Sequence, residues 1–159
     1  MNKNQGEEKN KIVLFSLDEP RYALYLSSVE SVIHAVEITP LPKAPEIVLG
    51  IINLHGAVIP VIDIRKRFNL PSHEISLDDQ FIIAKTTKRT VAMVVDSVAG
   101  VSELPQSKIT NADENLPYTA YLAGVAVFEG NLILINDLEK FLSLDEEKAL
   151  QNAINDSDK

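Results

Sequence analysis

Residues 50–59 read Gly-Ile-Ile-Asn-Leu-His-Gly-Ala-Val-Ile, and residues 124–133 read Gly-Val-Ala-Val-Phe-Glu-Gly-Asn-Leu-Ile. Each segment begins on a glycine and carries a second glycine between two apolar runs. The tightest hairpin turns require positive φ angles, which glycine adopts without steric cost. Each segment is therefore predicted to form a β-hairpin, with its turn at His55-Gly56 in the first and at Glu129-Gly130 in the second.

These hairpins belong to a longer internal repeat. They lie 74 residues apart, and Asp63-Ile64 and Asp137-Leu138 keep that spacing. An upstream block, residues 22–29, matches residues 91–98 at an offset of 69 residues. Two matched blocks in the same order indicate two copies of one strand-rich unit. The second copy is five residues longer between the blocks, which fits a longer loop at residues 105–121.

Short strands are predicted along the whole chain. Apolar runs rich in branched residues and bounded by turn residues predict about ten strands. They are expected at residues 11–17, 22–26, 32–38, 50–54, 58–62, 81–85, 90–95, 98–104, 122–128 and 132–136.

The repeat predicts how these strands are organised. About five strands are enough for each unit to close a small barrel. We expect one barrel from residues 11–68 and one from residues 80–142, joined by the polar linker 69–79. The two barrels would meet at an apolar groove, which suits a partner helix or strand.

Helical signals are few. Asp63 and Asp137 each suit an N-cap, where the carboxylate accepts a backbone N–H, and each precedes a predicted helical turn. Residues 44–47, Ala-Pro-Glu-Ile, have the composition of a first helical turn. An acidic first turn and an apolar stripe predict a C-terminal helix over residues 145–154 that docks on the barrels. Residues 1–10 and 155–159 are predicted to be polar tails, the first of them disordered.

Composition narrows the classes of function. The 159 residues include no cysteine, which excludes disulfides, thiolate catalysis and Cys-ligated metals. A net charge of −8 argues against nucleic-acid binding, and the largest basic cluster, residues 65–67, is expected to be a solvated face. The sequence has neither a signal peptide nor an apolar run long enough to span a membrane, so we expect a cytoplasmic protein without membrane insertion.

Catalytic and metal-binding patterns are not found. His34, His55 and His73 have no spacing that puts two of them on one face, so no metal site is expected. Asp63 and Asp137 are repeat equivalents and are better explained as caps than as a catalytic pair. No phosphate-binding glycine loop or nucleophile elbow occurs. The protein is therefore not expected to be an enzyme or to bind a cofactor.

Five motifs make the chain resemble the CheW-like domain of bacterial chemotaxis coupling proteins. They are Phe15-Ser16-Leu17 with Tyr22-Ala23-Leu24, Ile38-Thr39-Pro40-Leu41-Pro42 with Ala44-Pro45, Gly50-Ile51-Ile52-Asn53-Leu54, Ile59-Pro60-Val61-Ile62-Asp63-Ile64-Arg65, and Val94-Val95-Asp96-Ser97-Val98. The resemblance implies an all-β fold of two SH3-like five-stranded barrels in a single domain over residues 11–154. It also implies a non-catalytic adaptor that couples chemoreceptors to a CheA-type histidine kinase, which carries a homologous regulatory domain.

The resemblance further implies where partners bind. The helical tip of a chemoreceptor would lie in the groove between the barrels, against small or apolar residues: Val29, Val32, Gly50, Ala92, Val98 and Val101. The family usually has Glu at the position of Ser31 and Arg at that of His55, and the two are thought to pair beside the groove. Losing both leaves neither charge unpaired. We expect this double change to alter which receptor is recognised.

Two other functions are compatible with these residues. The first is a CheW-like subunit of a non-chemotaxis phosphorelay, suggested by Ser31 and His55. The second is a small-ligand-binding or hydrolytic barrel, which would require a concave polar pocket or converging carboxylates. The sequence gives no sign of such a pocket.

Overall fold

A computed structural model describes residues 9–111 and 119–157, with eleven strands and one α-helix in these ranges. The strands are β1 (Lys9–Leu17), β2 (Glu19–Tyr25), β3 (Val29–His34), β4 (Val48–Leu54), β5 (Ala57–Ile62), β6 (Gln80–Lys85), β7 (Thr90–Val95), β8 (Ser97–Pro105), β9 (Ile109–Thr110), β10 (Leu122–Phe128) and β11 (Asn131–Asn136), and the helix is α1 (Leu144–Ser157). The prediction of an all-β fold with a C-terminal helix is confirmed. Residues 1–8 and 158–159 of the predicted tails, and 112–118 of the predicted long loop, lie outside the described residues.

The strands form two sheets with the same internal plan. One has the order β3-β6-β7-β5-β4, and the other has the order β8-β1-β2-β11-β10-β9. The neighbouring strands are antiparallel, except for the parallel pairs β5–β7 and β11–β2. Replacing each strand by its repeat equivalent converts the first order into the first five strands of the second. Two SH3-like barrels related by the internal repeat are therefore confirmed.

The two sequence units do not close one barrel each. The sheet built on β3, β4 and β5 of the first unit takes β6 and β7 from the second unit, and the other sheet takes β1 and β2 in exchange. The expectation of one barrel per unit is thus wrong. The chain passes from one sheet to the other at Asp96, the single residue between β7 and β8.

Both predicted hairpins are confirmed, as β4–β5 and β10–β11. Their turn residues all have positive φ, 54° and 86° at His55 and Gly56, and 50° and 80° at Glu129 and Gly130. This is the pattern of a type I′ turn, whose twist matches that of the flanking strands. Burial alternates in the same way along β4 and β10, so the repeat extends from the backbone to the packing.

Gly50 and Gly124 are needed because another strand segment crosses directly over them. A Cβ on Gly50 would lie 2.2 Å from the Thr39 carbonyl oxygen, and one on Gly124 would lie 3.0 Å from that of Thr110. Thr39 bridges to Ile51 next to the first glycine, and Thr110 pairs with Val125 next to the second. The two glycines therefore allow the same close backbone approach in both barrels.

The predicted caps are confirmed. Asp63 accepts a hydrogen bond from Arg65 N and Asp137 from Glu139 N, and each precedes a three-residue 3₁₀ turn, Ile64–Lys66 and Leu138–Lys140. The helical start predicted at residues 44–47 is wrong. Val48 N donates to Pro45 O in a single turn, and the chain then enters β4.

The C-terminal helix α1 is longer than predicted. It continues to Ser157, so the predicted tail is helical over residues 155–157. The predicted docking is confirmed, because Leu150 and Ala153 are buried in the core shared by both sheets. Within the described part of the chain, no helix has the length and apolar character that crossing a membrane requires.

In the described ranges, the core consists of three buried clusters. One belongs to each sheet, and the largest takes residues from both sheets and from α1. This shared cluster holds the aromatic rings of Phe15, Tyr22, Phe68, Tyr121 and Phe141, with neighbouring ring centroids 5.3 to 6.4 Å apart. Branched aliphatic residues dominate elsewhere, as the composition indicates. The few aromatic residues are concentrated where the two barrels join.

Candidate partner-binding site

Four of the predicted site residues lie on two repeat-equivalent strands. Val29 and Val32 are on β3, the first strand of one sheet, and Val98 and Val101 are on β8, the first strand of the other. Val32 is 37% exposed and Val101 is 56% exposed. Val29 and Val98 are half-buried and pack on the shared core. Each of these two strands thus presents one exposed valine and one half-buried valine that packs on the core.

Gly50 and Ala92 do not face solvent. Ala92 is 0% exposed, and Gly50 lies buried beneath Thr39. Both are paired with Val61, Gly50 on β4 and Ala92 on β7. The expectation that these two residues touch a partner is therefore corrected: they lie inside the sheet, under the surface. The resemblance supplied their positions but not their exposure.

Ser31 and His55 are both exposed, but Ser31 is not the residue next to His55. The pairing of β3 with β6 shifts between Val29 and Ser31, so Glu30 forms a bulge. Glu30 and His55 line the same surface cavity, of about 380 Å³. An acidic side chain therefore shares this cavity with His55, one position earlier than the resemblance implied. An alternation pattern gives no signal for a bulge, which is why sequence reasoning missed Glu30.

The same irregularity occurs on β8. Its pairing with β1 shifts between Val98 and Gly100, which leaves out Ala99, the repeat equivalent of Glu30. Gly100 has a φ of 133°, which suits glycine. Bulges bend a strand and re-aim its side chains. Both end strands therefore bend at the same repeat position, between the two valines that each contributes.

A charged centre built on one buried arginine lies at the start of β8. Arg65 is 2% exposed, and its Nη2 lies 2.7 Å from Asp96 Oδ1 and 3.2 Å from Asp18 Oδ1. Asp18 N donates to Asp96 Oδ2 at 2.6 Å, and Asp96 N donates to Ser16 O at 2.9 Å. We call Arg65, Asp96 and Asp18 the Arg65 centre. It ties the turn after β5 to the β1–β2 turn and to the β7–β8 connection.

Arg65 and Asp96 are both stabilised in their ionised forms. Burial disfavours the ionised carboxylate of Asp96, but hydrogen bonds from Asp18 N and Arg65 outweigh it, so the pKa of Asp96 is lowered. Burial also disfavours the charged guanidinium, but hydrogen bonds to Asp96 and Asp18 raise the pKa of Arg65. Arg65 is thus a buried structural cation, and the expectation that residues 65–67 form a solvated face is wrong at this position.

His73 connects the linker 69–79 to this centre. Its Nε2 lies 3.1 Å from Asp79 Oδ2 and 3.7 Å from Asp96 Oδ1, and the three potential ligand atoms are within 4.8 Å of one another. Asp96 Oδ1 already accepts from Arg65, and Asp79 Oδ2 accepts from Ser76 N. Both carboxylate oxygens therefore already accept hydrogen bonds from the protein. The contacts of His73 with them anchor the linker. The spacing of the three histidines from one another gives no signal for this contact, because its other members are aspartates.

The comparisons with known proteins agree with this geometry. Residues 11–146 match the family of CheW-like domains. The chain is 30% identical over 136 residues to the chemotaxis protein CheW of Thermotoga maritima, covering 83% of this chain and 87% of that protein. It is also 30% identical over 146 residues to the chemotaxis protein CheW of Bacillus subtilis, covering 92% and 93%. The crystal structure of the scaffolding protein TtCheW from Thermoanaerobacter tengcongensis superposes with a TM-score of 0.81 at 32% identity, covering 92% and 96%.

Proposed function

The chain belongs to the CheW-like family of chemotaxis adaptor and scaffold proteins, and we propose that it joins chemoreceptors to a CheA-type histidine kinase. The observation that carries the proposal is the pair of bulged end strands, β3 and β8, each presenting an exposed valine from a different barrel. A surface built from both barrels suits an elongated partner such as the helical tip of a receptor. The homologous regulatory domain of the kinase would bind elsewhere on the chain.

The proposed receptor surface comprises six of the eight predicted residues: Val29, Ser31, Val32, His55, Val98 and Val101. Gly50 and Ala92 are left out because both are buried. The exposed valines would supply affinity by leaving water, at about 25 cal/mol for each Å² of apolar surface buried. Ser31, His55 and the neighbouring Glu30 would set specificity at its edge, because polar groups left unpaired against the wrong partner are costly.

We propose that the chain catalyses no reaction and takes neither a metal nor a cofactor. The Asp96 and Asp18 carboxylates are held by Arg65, so they are not arranged as a general acid and base. An adaptor acts by holding its partners together, which raises the effective concentration of one near the other. Its output is control of the kinase through assembly.

The test is a reconstitution of purified kinase and receptor-containing vesicles from the same genome. Adding the chain is expected to make kinase autophosphorylation depend on the receptor. Val101→Asp should reduce this coupling at least tenfold. The matched control is Leu77→Asp, because Leu77 is 78% exposed and lies in the linker, outside the proposed surface. Full coupling by Val101→Asp would place the receptor elsewhere, and no effect of the wild-type chain would contradict the adaptor role.

The same reconstituted system distinguishes the chemotaxis adaptor from the remaining alternative function. Regulation of a kinase in vesicles without any chemoreceptor would favour a non-chemotaxis phosphorelay. The double variant Ser31→Glu/His55→Arg is expected to change the relative affinity for two different receptor tips. Unchanged relative affinity would show that these two positions do not set specificity.

A further inference from the structure

The chain passes from one sheet to the other at two repeat-equivalent crossings. The first runs from β2 to β3 through Leu26–Ser28, and the second runs from β7 to β8 through Asp96. Ser27 is the repeat equivalent of Asp96. Each crossing leads directly into a strand that carries one of the two valine pairs. The way each crossing is held therefore determines how firmly its valines are placed.

The β7–β8 crossing is tied to its surroundings on several sides. Asp96 contacts Arg65 and Asp18 within the Arg65 centre, and its backbone N–H donates to Ser16 O. Two residues on, Val98 N donates to Gln80 Oε1 at 2.8 Å, and Gln80 begins β6 in the opposite sheet. The first residues of β8 are thus held by side chains and backbone from both sheets.

The β2–β3 crossing lacks these ties within the described residues. Val29 N donates to Leu26 O, inside its own turn. The side chain of Ser27 is exposed and makes no hydrogen bond to another residue of the part of the chain that the structure describes. Thr87 and Glu139, the equivalents of Asp18 and Arg65, bond to each other at the surface at 2.8 and 2.9 Å. The pair equivalent to Asp18 and Arg65 therefore does not hold the β2–β3 crossing in the described residues.

We propose that Asp96 is a positioning residue for partner binding, which holds Val98 and Val101 in place through Arg65 and Asp18 while Val29 and Val32 adjust to the partner. The inference rests on the proposed receptor-binding function and deepens it. A surface with one preorganised side loses less conformational freedom on binding. An adjustable second side lets the same adaptor accept receptor tips that differ in shape.

The test compares Asp96→Ser, which installs the residue of the other crossing, with Glu139→Gln as the matched control. The probe is a purified helical-hairpin fragment from the cytoplasmic tip of a chemoreceptor encoded in the same genome. Asp96→Ser is expected to bind the fragment at least tenfold more weakly and to speed amide exchange at residues 97–101 at least tenfold. Its Asp18 amide proton resonance should move upfield as the bond to the carboxylate is lost. Glu139→Gln should stay within twofold in binding and exchange.

Two outcomes would overturn the proposal. One is Asp96→Ser binding within twofold of wild type while residues 97–101 exchange faster, and the other is unchanged exchange there. If Asp96→Ser does not fold, Asp96→Asn is measured by the same criteria, since it keeps the size of the side chain. Wild type that fails to bind the fragment would count against the proposed function alone. The positioning claim is then still decided in the wild type, where residues 97–101 must exchange more slowly than residues 29–33.

Discussion

The two halves of the chain share one backbone plan but differ in the side chains that join the barrels. Asp63 and Asp137 cap equivalent turns with φ angles of −106° and −105°. Two residues later, one half has Arg65, buried in an ionic centre, and the other has Glu139, exposed and bonded to Thr87. Caps and glycines thus set the backbone in both halves. The strength of the junction between barrels depends on side chains that do not repeat.

The largest loss of stability is expected at the repeated glycines, where the two halves can be compared directly. A Cβ on Gly50 meets the Thr39 carbonyl oxygen at 2.2 Å, whereas one on Gly124 meets the Ile109 side chain and the Thr110 oxygen at 3.0 Å. Gly50→Ala should therefore lower the free energy of unfolding by about 3 kcal/mol, and Gly124→Ala by about 1 kcal/mol. Urea unfolding followed by circular dichroism measures both. Equal losses would mean that the destabilisation does not depend on how closely the added Cβ approaches its neighbour.

Arg65→Met should give the next largest loss. Removing one partner of a buried ion pair costs about 3–5 kcal/mol, but Asp96 and Asp18 keep some access to water, so we expect about 2–3 kcal/mol. The equivalent change Glu139→Met is expected to cost about 0.5 kcal/mol, because Glu139 is exposed. The same urea titrations compare them. A more stable Arg65→Met protein would show that the centre costs stability and serves only to orient the barrels.

Asp96→Asn should be milder and should change the response to acid. We expect a loss of about 1–2 kcal/mol at neutral pH, since the amide keeps one acceptor for Arg65 but cannot accept from Asp18 N as a carboxylate does. The pKa of Asp96 is lowered in the folded protein. Its stabilisation is therefore complete above the unfolded pKa of about 3.9 and is lost as the pH falls through the lower folded pKa.

Unfolding free energies measured between pH 7 and pH 2 test this sign. The difference in unfolding free energy between wild type and Asp96→Asn should stay constant down to about pH 4 and then become smaller. Glu146 also has a lowered pKa, because hydrogen bonds from Arg67 and Ser143 outweigh its burial, so both proteins should lose stability in acid. A difference that becomes larger in acid would contradict the ionised carboxylate at Asp96.

Much of the backbone could be predicted because its signals are local. Glycine turns, aspartate caps and the apolar stripe of α1 each act within a few residues of the chain. The exchange of hairpins, the bulge at Glu30 and the burial of Arg65 depend on contacts between distant segments, for which one sequence carries no pattern. The candidate site shows the same division. Motifs located the valines of β3 and β8, but exposure, which removes Ala92 from the surface, is a property of the assembled sheets.

The smallest loss of stability is expected at the exposed contact between Thr87 and Glu139, and it tests what burial contributes to the equivalent contact of Asp18 with Arg65. The Glu139 carboxylate accepts hydrogen bonds from both Thr87 N and Thr87 Oγ1, so Thr87→Ala removes one bond and keeps the other. Both residues are exposed, so water replaces the lost partner, and the free energy of unfolding should fall by only about 0.5 kcal/mol. Urea unfolding beside Asp96→Asn gives the comparison. A loss as large as that of Asp96→Asn would mean that the exposed contact stabilises the fold as much as the contacts of Asp96 with Arg65 and Asp18 do, and that exposure does not separate the two.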